Sequence, residues 1–402
     1  MILFSLLLAA TALTAEAKLP SCVISHSGVL KHPGIYHDCK SLDRIQDNYQ
    51  HGKSAYIDSL DDAISRLPAL QPDSTWTMAG PFETVSWAGG DGHNIPLQQD
   101  GKNAYSLTLA WYATGKEIWL TRAKNTILAW GSTLKDLNEH IQGGEGLAYM
   151  TAAAEILRAS ASDSGWSSEN TKTYLDMIDR ISAGWNETRG LVRPDLFMNQ
   201  GAYGNSGAMN VAVFSDNCDM YEDMVYHATV GANSDPSIDY AIPIQISADP
   251  SFYGQVTEMG RDQGHPMGTL RAVSYMGITA RIQGTSGVDF FTQDSSRLLA
   301  GWEYWSRYNS GDDDVPWEPK AIRPETSDEV YDKLNDISRG RNYANDTALH
   351  PLETIGVAYH EYHRRGNACE MPYYLDYMTW QGLGWDAFEW GDDESLEAIG
   401  LL

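Results

Sequence analysis

Apolar residues recur at three- and four-residue intervals along most of this chain, which is the spacing of one face of an α-helix. Glycine, proline and aspartate separate these segments. The pattern predicts helices over residues 104–115, 117–130, 144–159, 171–185, 266–281, 294–308 and 351–364. The two-residue alternation of a half-buried strand is scarce, and residues 211–217 suit either a strand or the end of a helix.

Proline opens two of the predicted helices, at Pro266 and Pro351, and glycine ends another at Gly115. Residues 18–55 show no clean periodicity, so we expect most of this segment to be irregular. Many amphipathic helices in one chain bury their apolar faces by packing as antiparallel pairs in layers. The pattern therefore predicts a single all-α domain over residues 18–402, because no break in composition marks a second one.

Residues 1–17 are typical of an export signal. An apolar run ends in Ala15-Glu16-Ala17, a small-x-small pattern that suits cleavage after Ala17, although a basic region before the run is missing. No later stretch reaches the ~20 apolar residues that a membrane helix needs. We therefore expect a secreted, extracellular protein with no membrane partner.

Cysteine usage agrees with export. The chain has four cysteines, Cys22, Cys39, Cys218 and Cys369. They allow three pairings, which sequence alone does not separate. We favour Cys22 with Cys39, because both lie in the irregular N-terminal segment, and the alternative is four free thiols. Sequons begin at Asn186 and Asn345, and a eukaryotic host would be able to glycosylate them.

The formal net charge of −26 and the pI near 4.6 argue against nucleic acid and anionic membranes as partners. The same charge would repel an acidic polymer at long range. An acidic ligand is compatible with this chain only where its 28 basic residues are concentrated locally, since salt screens charges beyond about 8 Å. We expect a monomer.

The aromatic residues favour carbohydrate binding. The chain has 13 Trp and 22 Tyr but only 8 Phe, and Trp and Tyr combine a flat apolar face with a polar edge. Trp111, Trp119 and Trp130 follow helical spacing and are predicted to lie in the core. Trp76 and Trp87 lie in loop-like sequence and are candidate platforms for a sugar ring.

Two polar clusters carry the candidate chemistry. Residues 199–207 are dense in amides and glycine, and amide groups donate hydrogen bonds to a carboxylate without adding charge. The alternative for this stretch is a plain turn. Residues 258–266 place Arg261 close to His265, and the Arg261 guanidinium is able to donate two parallel hydrogen bonds to a carboxylate. We expect His265 at the N-cap before Pro266, where the helix dipole favours the neutral imidazole of a general base.

The second cluster also offers Glu258 and Asp262 to orient the arginine or the histidine, and the alternative is a buried structural ion-pair network. Tyr253 precedes it and is a candidate for proton transfer. His360 and His363 resemble a metal pair, but no third ligand is apparent, so we expect no metal and no cofactor.

Several segments resemble the alginate-lyase superfamily of polysaccharide lyases, particularly the polyuronate lyases of family 38. The segments are WTMAGPFETVSW from Trp76, NAYSLTLAWYATG from Asn103, ILAWGSTLK from Ile127, AAAEILR from Ala152, NQGAYGNSGAMN from Asn199, EMGRDQGHPMGTL from Glu258, WEYWSRYN from Trp302 and HPLETIGVAYHEYHRRG from His350. The resemblance implies an (α/α) toroid of antiparallel helix pairs with a deep cleft. It also implies cleavage of alginate or a glucuronan-like polymer by β-elimination, which leaves 4,5-unsaturated uronate ends.

Within this resemblance, Asn199 and Arg261 would hold the uronate carboxylate and stabilise the charged intermediate. His265 would abstract the C5 proton and Tyr253 would protonate the departing oxygen, unless one residue does both. The remaining candidate substrate contacts are Gln200, Tyr203, Trp76, Glu258, Gln263 and Tyr304.

Two other functions stay open at this point. A glycoside hydrolase on the same toroid needs two carboxylates about 5–9.5 Å apart, and Glu258, Asp262 and Glu303 are candidates. A non-catalytic protein that binds acidic polysaccharide would use the aromatic platforms without a proton-transfer pair. Only the lyase creates a double bond.

Overall fold

The computed structural model describes residues 18–25, 28–87, 92–182, 191–192, 198–231, 237–246, 253–318, 321–323, 327–340, 350–353 and 355–402. Helices dominate these residues, so the predicted all-α class is confirmed. The expected export signal and both sequons, at Asn186 and Asn345, lie outside the described residues.

The helices are α1 Cys39–Gln50, α2 Ser54–Arg66, α3 Asn94–Thr114, α4 Glu117–Thr133, α5 Gln142–Ala159, α6 Ala161–Ser164, α7 Ser168–Ser182, α8 Met198–Phe214, α9 Cys218–Thr229, α10 Ile238–Ala241, α11 Gly264–Gln283, α12 Gln293–Asn309, α13 Gly356–Arg364, α14 Pro372–Gln381, α15 Trp385–Glu389 and α16 Asp393–Ala398. Three short ribbons join them: β1 Thr84–Ser86 with β2 Asp136–Asn138 in parallel, and the antiparallel pairs β3 Ile244–Ile246 with β4 Tyr253–Gln255 and β5 Ala321–Arg323 with β6 Ser327–Val330.

The inner layer consists of parallel helices. Helices α3 and α5 run in the same direction, because Asn94 contacts Gln142 near their first turns and Tyr105 contacts Tyr149 further along. Helix α8 continues the layer beside α5, where the Asn210 amide donates to the Ala148 carbonyl at 3.1 Å.

Helices α11 and α13 complete the inner layer. The Tyr203 hydroxyl of α8 accepts from Arg271 of α11 at 2.9 Å. Further along α11, Arg281 pairs with Glu361 of α13 at 3.2 Å. The layer closes on itself where Lys102 of α3 pairs with Glu353, just before α13.

Outer helices pack on this ring in the opposite direction. Helix α4 returns along α3 after a turn at Gly115, whose φ of 72° is left-handed, and the Trp130 indole near its end donates to Asp100 near the start of α3. Helix α9 packs on α8, and α12 packs beside α14. An inner and an outer layer of antiparallel helix pairs is the predicted (α/α) toroid.

Close contact between inner helices depends on glycine. A side chain at Gly101 of α3 would run into the backbone of Gly146 in α5, and one at Gly144 would meet the backbone of α8 at Gly204. Helices α3, α5 and α8, which carry these glycines, are buried on almost all sides along their apolar segments. Small residues at the contact therefore let the parallel helices approach backbone to backbone.

Several predicted boundaries were wrong. Helix α1 begins inside the segment expected to be irregular, because the Asp38 carboxylate accepts from the Ser41 amide and the Ser41 hydroxyl accepts from the Asp38 amide. Residues 211–217 hold the end of α8 and the cap of α9, so the helix end is confirmed among the two alternatives for this stretch. Pro351 lies in a turn five residues before α13 starts.

The end of the toroid at which the inner helices finish is covered by the N-terminal segment. The predicted disulfide between Cys22 and Cys39 is confirmed, with a Cα–Cα distance of 5.4 Å, while Cys218 and Cys369 are not disulfide-bonded. Tyr36 inserts into the axis of the toroid, where its ring packs against the ring of Tyr275.

The tryptophans at helical spacing, Trp111, Trp119 and Trp130, are buried in the core as predicted. Among the helices of the described residues, none is both long enough and apolar enough to cross a membrane.

Candidate active site

The inner helices α3, α5, α8 and α11 begin at the same end of the toroid. We call the space framed by their first two turns, together with residues 257–262 before α11, the mouth. The positive ends of several helix dipoles meet there, although Glu139 and Asp262 accept from some of the first backbone N–H groups of α5 and α11. These dipole ends add positive potential at the mouth, although the net charge of the chain is −26.

The floor of the mouth is a buried network of two cations and two anions. Lys102 and Arg271 are 2% and 1% exposed. Lys102 Nζ lies 3.0 Å from Glu145, and Arg271 lies 2.7 Å from Glu145 and 3.1 Å from Glu353. Each cation contacts both carboxylates, so the network is electrically balanced and links three inner helices to the segment before α13.

Burial alone would raise the pKa of the Glu353 carboxyl, but Lys102 and Arg271 outweigh it and hold that pKa below its usual range. Glu353 is therefore ionised at neutral pH, where it faces Lys102 and Arg271. Removing one partner would leave an uncompensated buried charge.

Asn199 and Tyr203 lie one helical turn apart on the same face of α8. Asn199 is 8% exposed, and its Oδ1 atom accepts no hydrogen bond from any described residue. The Tyr203 hydroxyl accepts from Arg271 and lies against the backbone of Gly268 on α11. Gln200, next to Asn199, is half-buried. The amide-rich segment is therefore a helix start at the mouth, not a turn.

His265 lies on the facing helix, one turn before Gly268. It occupies the second position of α11 rather than the expected N-cap, because Asp262 accepts from the backbone amides of Gly264 and His265 and so starts the helix earlier. Pro266 costs no hydrogen bond there, since the first N–H groups of a helix have no partner. The His265 Nδ1 atom lies 2.6 Å from Asp262 Oδ2, and the side chain is 31% exposed.

The electrostatics of this pair favour an ionised aspartate. Burial raises the pKa of Asp262, but the hydrogen bonds from the His265 ring and amide outweigh it and hold that pKa below its usual value. An ionised Asp262 accepts a hydrogen bond from the Nδ1–H group of His265. The other ring nitrogen of His265 then faces away from the carboxylate. This is the arrangement of an oriented imidazole base.

Arg261 and Glu258 complete the mouth. Arg261 is 38% exposed and donates to Glu258 Oε1 at 3.0 Å. Glu258 is buried in a left-handed backbone conformation with φ of 65°, and no described residue donates to its Oε2 atom. The neighbouring Thr257 hydroxyl contacts Met198, so this segment lies beside the start of α8.

Other predicted contacts lie elsewhere. Gln263 is fully buried, where its amide donates to two backbone carbonyls and accepts from Asn309. Tyr304 is buried in the outer helix α12 and donates to the Pro316 carbonyl. Trp76 packs in the outer layer beside Arg122. The sequence did not distinguish these residues from those at the mouth, because the same polar residue types occur as buried structural groups and as ligand contacts.

Tyr253 stays a prediction, because its backbone forms β4 but its side chain lies outside the described part of the chain. Glu303, a candidate for hydrolysis, is 1% exposed and accepts from the amides of Tyr373 and Tyr374, so it caps α14 instead of facing the mouth.

The histidine pair lies near the other end of the toroid. His360 is buried and contacts the Ser395 hydroxyl at 2.8 Å, and burial lowers its pKa well below the usual value. His363 is in the last turn of α13. Nowhere in the described ranges do three or more His, Cys, Asp or Glu side chains group as metal ligands would.

Sequence reasoning missed the floor. Lys102 and Glu145 stand among polar residues and glycines, but Arg271 interrupts an otherwise apolar helix, and a charge in a helix that is buried all round needs a partner. That signal was visible in the sequence, but the partners come from helices far apart in the chain. His350 was also missed; it contacts Asn103, and burial together with Lys102 lowers its pKa to about 3.

Comparisons with known proteins give limited information. No family model matches the chain, and a search of curated proteins finds no match. Among solved structures, the chain is similar to a crystal structure of an alginate lyase from Bacteroides ovatus. The match has a TM-score of 0.49 and 14% identity, and it covers 70% of this chain and 84% of that chain.

Proposed function

We propose that this protein is a secreted polysaccharide lyase that cleaves a polyuronate, alginate or a glucuronan-like polymer, by β-elimination. The observation that carries the proposal is the pairing of His265 with Asp262 at the start of α11, which packs against α8, whose first turn carries the buried amide of Asn199. An oriented base and a carboxylate-binding group on facing helices are what this elimination requires.

The base acts first. In the neutral ring, Nδ1–H donates to Asp262, and the Nε2 lone pair of His265 takes the C5 proton of the uronate. The electron pair of the C5–H bond forms the C4–C5 double bond as the bond from C4 to the glycosidic oxygen breaks. Asp262 stabilises the imidazolium that results, as the aspartate does in other oriented imidazole bases.

Recognition of the uronate carboxylate lowers the cost of removing that proton, because negative charge builds up on the carboxylate in the transition state. Asn199 offers an amide at the first turn of α8, with Gln200 next to it. Arg261, partly exposed on the preceding segment, offers a guanidinium. The convergent helix starts add to this attraction.

The departing oxygen needs a proton. Tyr253 was the residue expected from sequence, but Tyr203 has a described position that suits the role. Its hydroxyl accepts from Arg271, which also pairs with Glu145, so the phenol lies at the floor of the mouth. We assign this step to Tyr203, and the single variants Tyr203→Phe and Tyr253→Phe separate the two.

The hydrolase is less well supported. A glycosidase acid needs a carboxyl whose pKa is raised at the cleavage point. At the mouth, Asp262 has a lowered pKa and Glu258 is paired with Arg261, while the raised pKa of about 7 belongs to Glu303, whose burial under α14 is its cause. No pair of free carboxylates among these candidates faces the mouth.

The test is the ultraviolet absorbance of unsaturated uronate ends when purified protein is mixed with alginate, glucuronan and other polyuronates. We expect a rise that falls by about 10²–10⁴-fold in His265→Ala, the range for loss of a general base. His227→Ala, on the outer helix α9, is the matched control and should keep full activity. Reducing ends without absorbance would establish hydrolysis, and full activity of His265→Ala would refute the mechanism.

A further inference from the structure

The rim of the mouth carries an exposed aromatic ring. Trp87 directly follows strand β1, which pairs in parallel with β2 so that Ser86 lies opposite Asn138. Strand β2 leads through Glu139 and His140 into α5, and Ser86 also bridges to His93 at the start of α3. The two strands therefore fix Trp87 beside the first turns of two inner helices.

The position of His140 is fixed by the helix start that it precedes. Glu139 is buried and accepts from the backbone amides of Ile141 and Gly143, so it caps α5. The Cβ atom of His140 lies 3.3 Å from where a side chain at Gly204 would begin. His140 is therefore held against the second turn of α8, at Gly204.

Trp87 and His140 stack on one another. Their ring centroids are 6.4 Å apart and the planes differ by 17°. Trp87 is 61% exposed, although an indole ring gains free energy from burial. Trp76, the other candidate platform, is half-buried beside Arg122 instead. Of the two candidate sugar platforms, Trp76 and Trp87, only Trp87 has an exposed ring face beside the mouth.

We propose that Trp87 and His140 form a binding subsite that stacks against a pyranose ring of the polyuronate, next to the ring at which the chain is cleaved. The flat apolar face of an indole fits the C–H face of a sugar ring. The floor residue Glu145 is in the first turn of α5, so the stack lies within roughly two helical turns, about 11 Å, of the floor along the axis. The polymer therefore reaches both at once.

This subsite rests on the proposed function for the identity of its occupant, but its test does not depend on catalysis. The affinity of alginate and glucuronan oligomers is measured by affinity electrophoresis and calorimetry on the full chain. The variants are Trp87→Ala and the conservative Trp87→Tyr. Tyr226→Ala, which removes a 49% exposed aromatic ring from the outer helix α9, is the matched control.

We expect Trp87→Ala to weaken binding of longer oligomers by about 5- to 30-fold, Trp87→Tyr to recover most of the affinity, and Tyr226→Ala to bind as the unmodified protein does. In steady-state cleavage the same loss should appear in KM, with kcat within about twofold, because the platform lies away from the reacting atoms.

Equal affinity of Trp87→Ala and the unmodified protein would overturn the subsite, as would failure of the unmodified protein to bind any polyuronate. An equal loss in Tyr226→Ala would also overturn it, since the effect would then not be local. If the protein binds through Trp87 but releases no unsaturated product, the lyase proposal fails while the subsite stands.

Discussion

Glu389 is buried at the axis of the toroid and makes stability depend on pH. Its carboxyl accepts from the Tyr105 hydroxyl at 2.6 Å and from the Trp385 indole, and His37 lies 3.3 Å away. Burial raises the pKa of Glu389 to about 8, although the two donors act in the opposite direction. Burial likewise lowers the pKa of His37 to about 3, so both groups are neutral near pH 6.

The perturbation is Glu389→Gln, which keeps the shape and removes the titration. From about pH 4.5, the usual pKa of the carboxyl, to about pH 8, the folded chain keeps a proton that the unfolded chain has released. The contribution of Glu389 to stability therefore falls as pH rises through that window. A pKa difference of about 3.5 (8 minus 4.5) corresponds to roughly 5 kcal/mol, at about 1.4 kcal/mol per unit of pKa.

Near pH 5 we expect Glu389→Gln to match the unmodified protein within about 1 kcal/mol, because the amide replaces a neutral carboxyl and keeps similar hydrogen bonds. Near pH 9 the variant should be more stable by several kcal/mol, up to the roughly 5 kcal/mol that ionisation costs. Urea unfolding followed by circular dichroism at both pH values measures the difference.

Glu169→Gln is the control, because Glu169 is exposed in the first turn of α7. It should leave the pH dependence of unfolding as it is. If Glu389→Gln and the unmodified protein lose stability in parallel from pH 5 to pH 9, the carboxyl is not held neutral and the reasoning is refuted.

Two further changes test packing and charge in the fold. Gly101→Ala should destabilise the protein by about 1–3 kcal/mol, because the new methyl meets the backbone of α5, whereas Gly131→Ala, with no atom closer than 3.5 Å, should stabilise α4 by about 0.5–1 kcal/mol. Equal thermal shifts of these two variants would contradict the close helix contact. Burial lowers the pKa of His32, but its contacts with Glu155 and Asp216 outweigh this and raise it. A protonated His32 stabilises the fold at low pH, and this contribution is lost as pH rises through the raised pKa. His32→Gln should therefore be more destabilising near pH 5.5 than near pH 8.5 in denaturant unfolding, and the opposite order would contradict the ion pairs.

The sequence by itself determined the features that depend on neighbouring residues. Helical periodicity predicted α3, α4 and α5 to within a few residues, except for the first ten residues of α3. It also placed Trp119 and Trp130 in the core. The disulfide between Cys22 and Cys39, one of three pairings that the sequence allowed, was favoured because both cysteines lie in the N-terminal segment. The amide-rich and arginine-histidine segments stood out because polar residues interrupted an apolar pattern.

Only the tertiary structure decided which polar residues meet. Arg271 and Glu353 lie 82 positions apart, and nothing local shows that they share a buried network with Lys102. Tertiary contacts also buried Gln263 in the fold, whereas Trp87 stayed exposed at the mouth. Periodicity reports which face of a helix is apolar, but the partner of a buried charge is set by how distant helices pack.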